Sequence, residues 1–193
     1  TACACQGERQ MMPSTVTPEF PAAGEFHLSL RVADLGRSTR FYSAFLGVSP
    51  KDSTARYSTF IVPHLRLNLV LLVNDRDEAL DTYSLYHLGL GVAGKAEMLA
   101  AYHAAVAVGA EIVKPPRTTW RGIPLHELWL RDPTGYLIEV YARLTDEELA
   151  EMPADKEPVF LLDGQTEQSE HQTKEIDHVD PELHDARSGN RST

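Results

Sequence analysis

YHLGLGVA, at residues 86–93, repeats a pattern that the chain has already used: FHLSLRVA stands at residues 26–33. Both copies run His-Leu-x-Leu-x-Val-Ala, the alternation of a half-buried strand. The likeness continues past the strand. Tyr42 follows His27 by 15 residues and Tyr102 follows His87 by 15, each in a segment of helical apolar spacing that stops near a glycine, Gly47 or Gly109. A unit of roughly 50–60 residues that occurs only twice is too short a series for a solenoid. It predicts two copies of one strand–helix–strands unit about a pseudo-two-fold axis, with His27 and His87 as symmetry mates brought to one place.

Around this repeat the other elements fall into order. Residues 25–32 form the first strand, with Phe26, Leu28, Leu30 and Val32 on one face and His27 on the other. Asp34 caps a helix whose apolar stripe is Leu35, Phe41, Tyr42, Phe45 and Leu46, and Gly47 closes it. Strands follow at 56–62 and 65–73, the second apolar except for Arg66 and Asn68. The charged segment 74–82 is a linker. The second unit repeats the strand, then carries an Ala-rich helix at 95–108 and a short strand at 111–113 before a Pro115-Pro116 loop. A strand at 125–130, the turn Asp132-Pro133-Thr134-Gly135 and a last strand at 136–141, YLIEVY, complete it. Thr145 and Glu148 predict a capping box for a short helix at 146–152, and VFLL at 159–162 is the one apolar cluster beyond it, a candidate for docking on the body. The expected division is a flexible arm at 1–24, a domain at 25–144 built from modules 25–73 and 83–144, and an acidic, largely disordered tail at 145–193.

The chain has 193 residues and a formal charge of −10, but the charge is not spread evenly. Residues 1–145 hold 14 acidic and 14 basic side chains, whereas residues 146–193 hold 14 acidic and 4 basic ones. A near-neutral body offers no electrostatic footprint for nucleic acid. Apolar runs long enough to span a membrane are absent, as is a basic-then-apolar leader pattern, so a cytoplasmic protein is the expectation. Cys3 and Cys5, the only cysteines, lie in the loose arm and read as part of it rather than as a metal site.

Three polar residues stand where buried strands prefer apolar ones: His27, His87 and Glu139. A lone strand histidine is ordinarily a packed or surface residue, and a mid-strand glutamate can face solvent at an edge. Their coincidence in a duplicated unit points instead to a divalent-metal site, two imidazoles and one carboxylate with open positions for water, dioxygen or substrate. An ionised Glu139 without such compensation would cost several kcal/mol. Aligning residues 67–69 with 138–140 makes Asn68 the counterpart of Glu139, a carboxamide suited to holding a bound water. His126, on the strand before the Asp132 turn, is a candidate acid/base or ligand-orienting residue. Trp120, Arg121 and Trp129 are candidates, with Asn68, for lining the substrate pocket.

HLSLRVADLGRSTRFYSAFLGV, the second HLGLGVA and DPTGYLIEVY resemble the vicinal-oxygen-chelate superfamily, which includes glyoxalase I, extradiol dioxygenases, fosfomycin-resistance thiol transferases and bleomycin-binding proteins. The resemblance covers about residues 25–144. It implies an α+β fold of two βαβββ modules forming a cup around a metal held by His27, His87 and Glu139, with Asn68 at the position that is often Glu or Gln in glyoxalases. FYSAFLGV, the LNL strand and TTWRGIPLHELWLRDPTG are similar to the cadmium-induced protein and carbon–arsenic lyase branch. Where that branch has an adjacent cysteine pair after Thr-Thr, this chain has Trp120-Arg121 after Thr118-Thr119.

The resemblance implies a metal-dependent enzyme acting on a small molecule, an Fe(II) dioxygenase or lyase. Its alternatives are a glyoxalase- or thiol-transferase-type detoxifying enzyme using Ni(II), Mn(II) or Zn(II), and a sequestering protein that binds a small molecule or metal. Many relatives exchange half-domains between chains. The near-neutral body offers little resistance to dimerisation, so the expected assembly is a homodimer, in which the three ligands either come from one chain or are shared, with His27 from one chain and His87 and Glu139 from the other.

Overall fold

The computed structural model describes residues 24–76, 78–120, 123–151, 153, 155 and 157–162. Each copy of the repeat pairs in parallel with the last strand of its own unit. β1 (Phe26–Val32) lies beside β4 (Leu67–Val73), with His27 opposite Asn68. β3 (Tyr57–Val62) and the two-residue β2 (Asp52–Ser53) complete this sheet in the order β1-β4-β3-β2. In the second unit β5 (Leu88–Gly91) lies beside β8 (Leu137–Arg143), with Gly89 opposite Glu139. Its sheet runs β5-β8-β7-β6-β9, where β6 is Glu111–Thr119, β7 is Leu125–Arg131 and β9 is Val159–Phe160. Parallel strands need a crossover, and each unit supplies a helix within it, α1 (Leu35–Leu46) or α2 (Lys95–Ala107). The architecture is therefore α+β, with the strand–helix–strands unit that the repeat predicts built twice as the βαβββ module that the resemblance implies.

Local chemistry accounts for the helix ends. Asp34 accepts a hydrogen bond from the Arg37 backbone N–H at 2.8 Å, and Gly47 closes α1 at φ 67°, a conformation that costs a side-chain-free residue little. Phe41, Tyr42 and Phe45 of α1 and Met98 and Ala105 of α2 pack on one face of the sheets. Strand alternation supplies the other side of that core: Leu30, Val32, Leu67, Leu69 and Leu71 from the first unit, Leu88, Leu90, Leu128, Ile138 and Val140 from the second. Burying such side chains contributes about 1.5–3 kcal/mol each. The opposite sheet faces carry His27 and Asn68 in one unit and Glu139 and Trp129 in the other.

Two expectations are corrected here. The Pro115-Pro116 pair lies inside β6 instead of forming a loop. Register shifts against β7 on either side of Lys114 leave both prolines out of that ladder, so their missing N–H groups interrupt no bond. The packed body also continues past residue 144. α3 (Asp146–Ala150) has the expected capping box, and Glu148 also meets the buried His126 at 2.9 Å. β9 pairs with β6, Leu161 packs against the core and the Trp120 Nε1–H donates to the Glu157 carbonyl at 3.1 Å. Residues 1–23 of the predicted arm and residues 163–193 of the predicted tail lie outside the described residues.

The predicted turn at residues 132–135 has a second role, because it joins the two units. Asp132 is only 5% exposed, and its Oδ1 accepts backbone hydrogen bonds from Thr134, Gly135 and Tyr136 at 2.8–2.9 Å. Its Oδ2 accepts from the Tyr42 hydroxyl of α1 at 3.0 Å. Tyr136 in turn donates to the Arg31 carbonyl at 3.1 Å, beside the end of β1. Tyr42→Phe leaves a buried carboxylate one donor short, which costs about 1–3 kcal/mol. Thermal unfolding of that variant is expected several degrees below the wild type, and an unchanged midpoint would contradict this role.

Candidate metal centre

His87 stands at the entry to β5, two residues before Gly89, which faces Glu139 across the parallel ladder. That register brings the His87 Nε2 to 3.3 Å from the Glu139 Oε2, with the two side chains 28% and 13% exposed. Two donors cis to each other on one divalent ion at about 2.0–2.2 Å stand roughly 3.0–3.4 Å apart, so this pair has the spacing of two ligands. Desolvation holds the His87 imidazole below the ordinary histidine range, which keeps it neutral and its lone pair available near pH 7. Desolvation, helped by the Glu127 carboxylate and opposed by Lys114, pushes the Glu139 carboxyl up to about 7. The His87 Nδ1 is buried and has no hydrogen-bond partner among the described residues, whereas a metal-bound histidine ordinarily donates that second N–H.

His27 is not brought to this place within one chain. It is exposed on the open face of the other sheet, opposite Asn68 and hydrogen-bonded to Ser29 at 3.1 Å. Among the described residues no three His, Cys, Asp or Glu side chains converge as a metal site. The ladders also correct the counterpart of Glu139. Leu28 faces Leu69 in the first unit and the matching Leu88 faces Ile138 in the second, so Glu139 corresponds to Val70 and not to Asn68. The fourth corner is therefore apolar and supplies no donor. Asn68 lies one step along the same face, where its amide donates to Glu25 at 3.4 Å while its buried Oδ1 has no partner.

β7 divides its candidates between its two faces. Trp129 faces Glu139 across the ladder, with its ring 4.9 Å from the His87 ring, edge to face, and 6.4 Å from that of Tyr86. The Trp129 Nε1–H donates to Glu127 at 3.0 Å, and Arg117 pairs with the same carboxylate at 2.8 Å. His126 points the opposite way. It is 3% exposed and held between the Thr118 hydroxyl and the Glu148 carboxylate, both at 2.9 Å, so it fastens α3 and cannot act as an acid or base at Glu139. Trp120 is likewise taken up in holding the segment before β9, and Arg121 lies outside the described residues. Sequence reading passed over Lys114, Arg117, Glu127 and Tyr141. Stepping by twos leads from Trp129 to Glu127 and from Glu139 to Tyr141, but Lys114 and Arg117 became visible only through strand register. Gly91 makes room for Tyr141: a side chain there would meet its hydroxyl at 3.0 Å.

The glyoxalase/bleomycin resistance protein/dioxygenase family profile matches residues 26–140. The fold is similar to that of a glyoxalase/bleomycin resistance protein/dioxygenase from Alicyclobacillus acidocaldarius, with a TM-score of 0.53, 21% identity and coverage of 64% of this chain and 94% of that one. A glyoxalase/bleomycin resistance protein from Albidiferax ferrireducens T118 gives a TM-score of 0.51 at 23% identity, over 61% and 97% of the two chains. The fosfomycin resistance protein FosX of Listeria monocytogenes gives 0.50 at 22% identity, over 66% and 98%. No curated protein matches the chain. Among the described residues no helix is long and apolar enough to cross a membrane.

The raised Glu139 carboxyl sets a pH-dependent cost in the metal-free protein. The folded state binds this proton more tightly than the unfolded state, so ionising Glu139 does not oppose folding below about pH 4.5. The cost grows as pH rises towards about 7 and is complete above it. Glu139→Gln is therefore expected to stabilise the metal-free protein at pH 8, by at most about 3 kcal/mol, and to change it little at pH 4. Equal effects at both pH values, measured by chemical denaturation, would contradict the assignment.

Proposed function

The chain belongs to the glyoxalase/bleomycin resistance protein/dioxygenase superfamily, and from that membership we propose that it is a metal-dependent enzyme acting on a small molecule, an Fe(II) dioxygenase or lyase, whose site is completed between two copies of the chain. The observation that carries this reading is the approach of the His87 Nε2 and the Glu139 Oε2 to 3.3 Å on an open sheet face. A ferrous ion held there would supply Lewis-acid and one-electron chemistry towards a chelating substrate and dioxygen. His87 contributes a neutral donor. Glu139 contributes the negative charge, and because its carboxyl titrates near neutrality, loading of the site releases a proton. The Trp129 and Tyr86 rings lie 4.9 and 5.0 Å from the His87 ring and flank the pair.

The shared site follows from what one chain lacks. His27 stands exposed on the first sheet, away from the other two donors. Each open face also carries one buried, unpartnered polar atom, the Asn68 Oδ1 on the first and the His87 Nδ1 on the second. One is an acceptor, and the other is a donor when Nε2 serves as the ligand. Opposing the first face of one copy to the second face of another joins His27 to His87 and Glu139 and brings these two atoms to the same interface. Such an isologous contact forms two equivalent sites per dimer.

A metal without redox chemistry, Ni(II), Mn(II) or Zn(II), in the same donor set is the second reading. Imidazole and carboxylate donors suit zinc as well as ferrous iron, so the His87–Glu139 pair accommodates either class of metal. Metal analysis combined with oxygen uptake separates the two: iron with uptake supports the first, another metal without uptake the second. His87→Ala is expected to abolish stoichiometric metal while the fold persists, and full occupancy in that variant would exclude the site. Mixing His27→Ala with Glu139→Ala protein should restore metal to about half the sites of each heterodimer, because one of its two sites keeps all three donors. Absence of recovery despite proven subunit exchange would place the site within one chain.

A further inference from the structure

β6 directs two cations to the sheet face that carries Glu139, and the protein matches only one of them with a carboxylate. Arg117, opposite Glu127, is neutralised by it in a largely buried pair. Lys114, opposite Trp129, is half-buried, and its ammonium lies 4.9 Å from the centroid of the indole ring. Among the described residues the Lys114 ammonium has neither a hydrogen-bond acceptor nor an ion-pair partner at contact distance; it lies over that ring and acts on the Glu139 carboxyl only through space. A ring face attracts the charge but accepts none of the three N–H groups in an ordinary hydrogen bond. A half-buried ammonium in this state has given up part of its hydration without receiving a counter-ion in direct contact.

The ammonium is held on a fixed platform. Arg117 holds Glu127, and Glu127 accepts from the Trp129 Nε1–H, so the indole plane beneath Lys114 is pinned at its polar edge. The position is also aligned with the candidate metal pair. Lys114, Trp129, Glu139 and Gly89 occupy facing positions on four adjacent strands, β6, β7, β8 and β5. Two strand spacings place Lys114 roughly 10 Å from Glu139. Charge balance points the same way. A divalent ion on two neutral imidazoles and one carboxylate, with Lys114 beside it, leaves the face positive, and a substrate that carries an anionic group relieves the excess.

We propose that Lys114 is the docking point for an anionic group, carboxylate or phosphate, at the end of the substrate remote from the His87–Glu139 pair. This rests on the metal-centre reading above and narrows its substrate class to elongated molecules with a negative charge at one end and the reacting oxygens at the other. The Trp129 ring and the Lys114 stem form the wall along which the body of such a molecule lies.

The test uses the full-length, chelator-treated protein and calorimetric titration with benzoate, phenyl phosphate and the neutral benzamide. One of the two anions is expected to bind at least about tenfold more tightly than benzamide, and the better anion tells carboxylate from phosphate. Lys114→Gln should remove that preference while Lys114→Arg keeps it within a few-fold. Equal binding of charged and neutral probes, or an unchanged anion preference in Lys114→Gln, would overturn the proposal. Dissociation of a dimer in Lys114→Gln, with no anion binding by the wild type, would overturn it in favour of a carboxylate from a second copy. Metal uptake measured in parallel separates the two readings. Anion preference without metal uptake by the wild type removes the metal centre alone, and normal uptake without anion preference removes the Lys114 assignment alone.

Discussion

The buried carboxylate of Asp132 is the interaction on which the arrangement of the two units depends. Its oxygens take three backbone N–H groups of its own turn and the Tyr42 hydroxyl of the other unit's helix. Desolvation raises the Asp132 carboxyl, so these donors offset a real cost of burial. Burial and the adjacent negative charge raise the Tyr42 phenol well above its usual value, so it remains a donor. With Tyr136 bonded to the Arg31 carbonyl and Thr134 accepting from the Ala33 N–H, the turn is stitched to the end of β1 as well as to α1. The two units share one apolar core on the helix side as a result, while His27 and the His87–Glu139 pair remain on separate sheets.

That division distributes cost and function differently. The helix side buries apolar surface and contributes most of the stabilisation. The other face of the second sheet holds charged groups at partial burial, and most are satisfied locally: Glu127 by Arg117 and Trp129, Tyr141 in the space left by Gly91. Among the described residues three groups on the two open faces lack a hydrogen-bond partner, the Lys114 ammonium, the His87 Nδ1 and the Asn68 Oδ1. Buried polar groups in folded proteins are ordinarily paired. Among the described residues the helix side adds the buried Ser38 Oγ, so most of the unmet demand lies on the two open faces.

His126 shows how alternation separates structure from chemistry. It differs from Trp129 by an odd number of positions on the same strand and so points to the opposite side. There it holds Glu148, whose carboxyl is kept below the ordinary range first by the Thr145 backbone N–H and then by the His126 contact. A histidine next to a proposed active site thereby becomes a fastening for α3.

Patterns of near neighbours in the chain carried the fold. Alternation in the two HLxLxVA copies, the Asp34 cap, the Gly47 stop, the Asp132 turn and the Thr145–Glu148 box all depend on residues a few positions apart, and each appears in the structure. The polarity of His87 and Glu139 inside apolar strands was equally legible, because an unexplained charge in a strand is costly wherever that strand lies. Register was not. A slide of two residues keeps every side chain on its own face, so alternation alone could not distinguish Asn68 from Val70 as the counterpart of Glu139; only the paired ladders do. Nor could local pattern show that a double proline sits inside a bulged strand, that Lys114 lies over Trp129, or that His27 stands apart from its mate. Those outcomes were decided by the tertiary structure, because they depend on contacts between residues far apart in the chain, and such contacts form only when whole sheets and helices pack together.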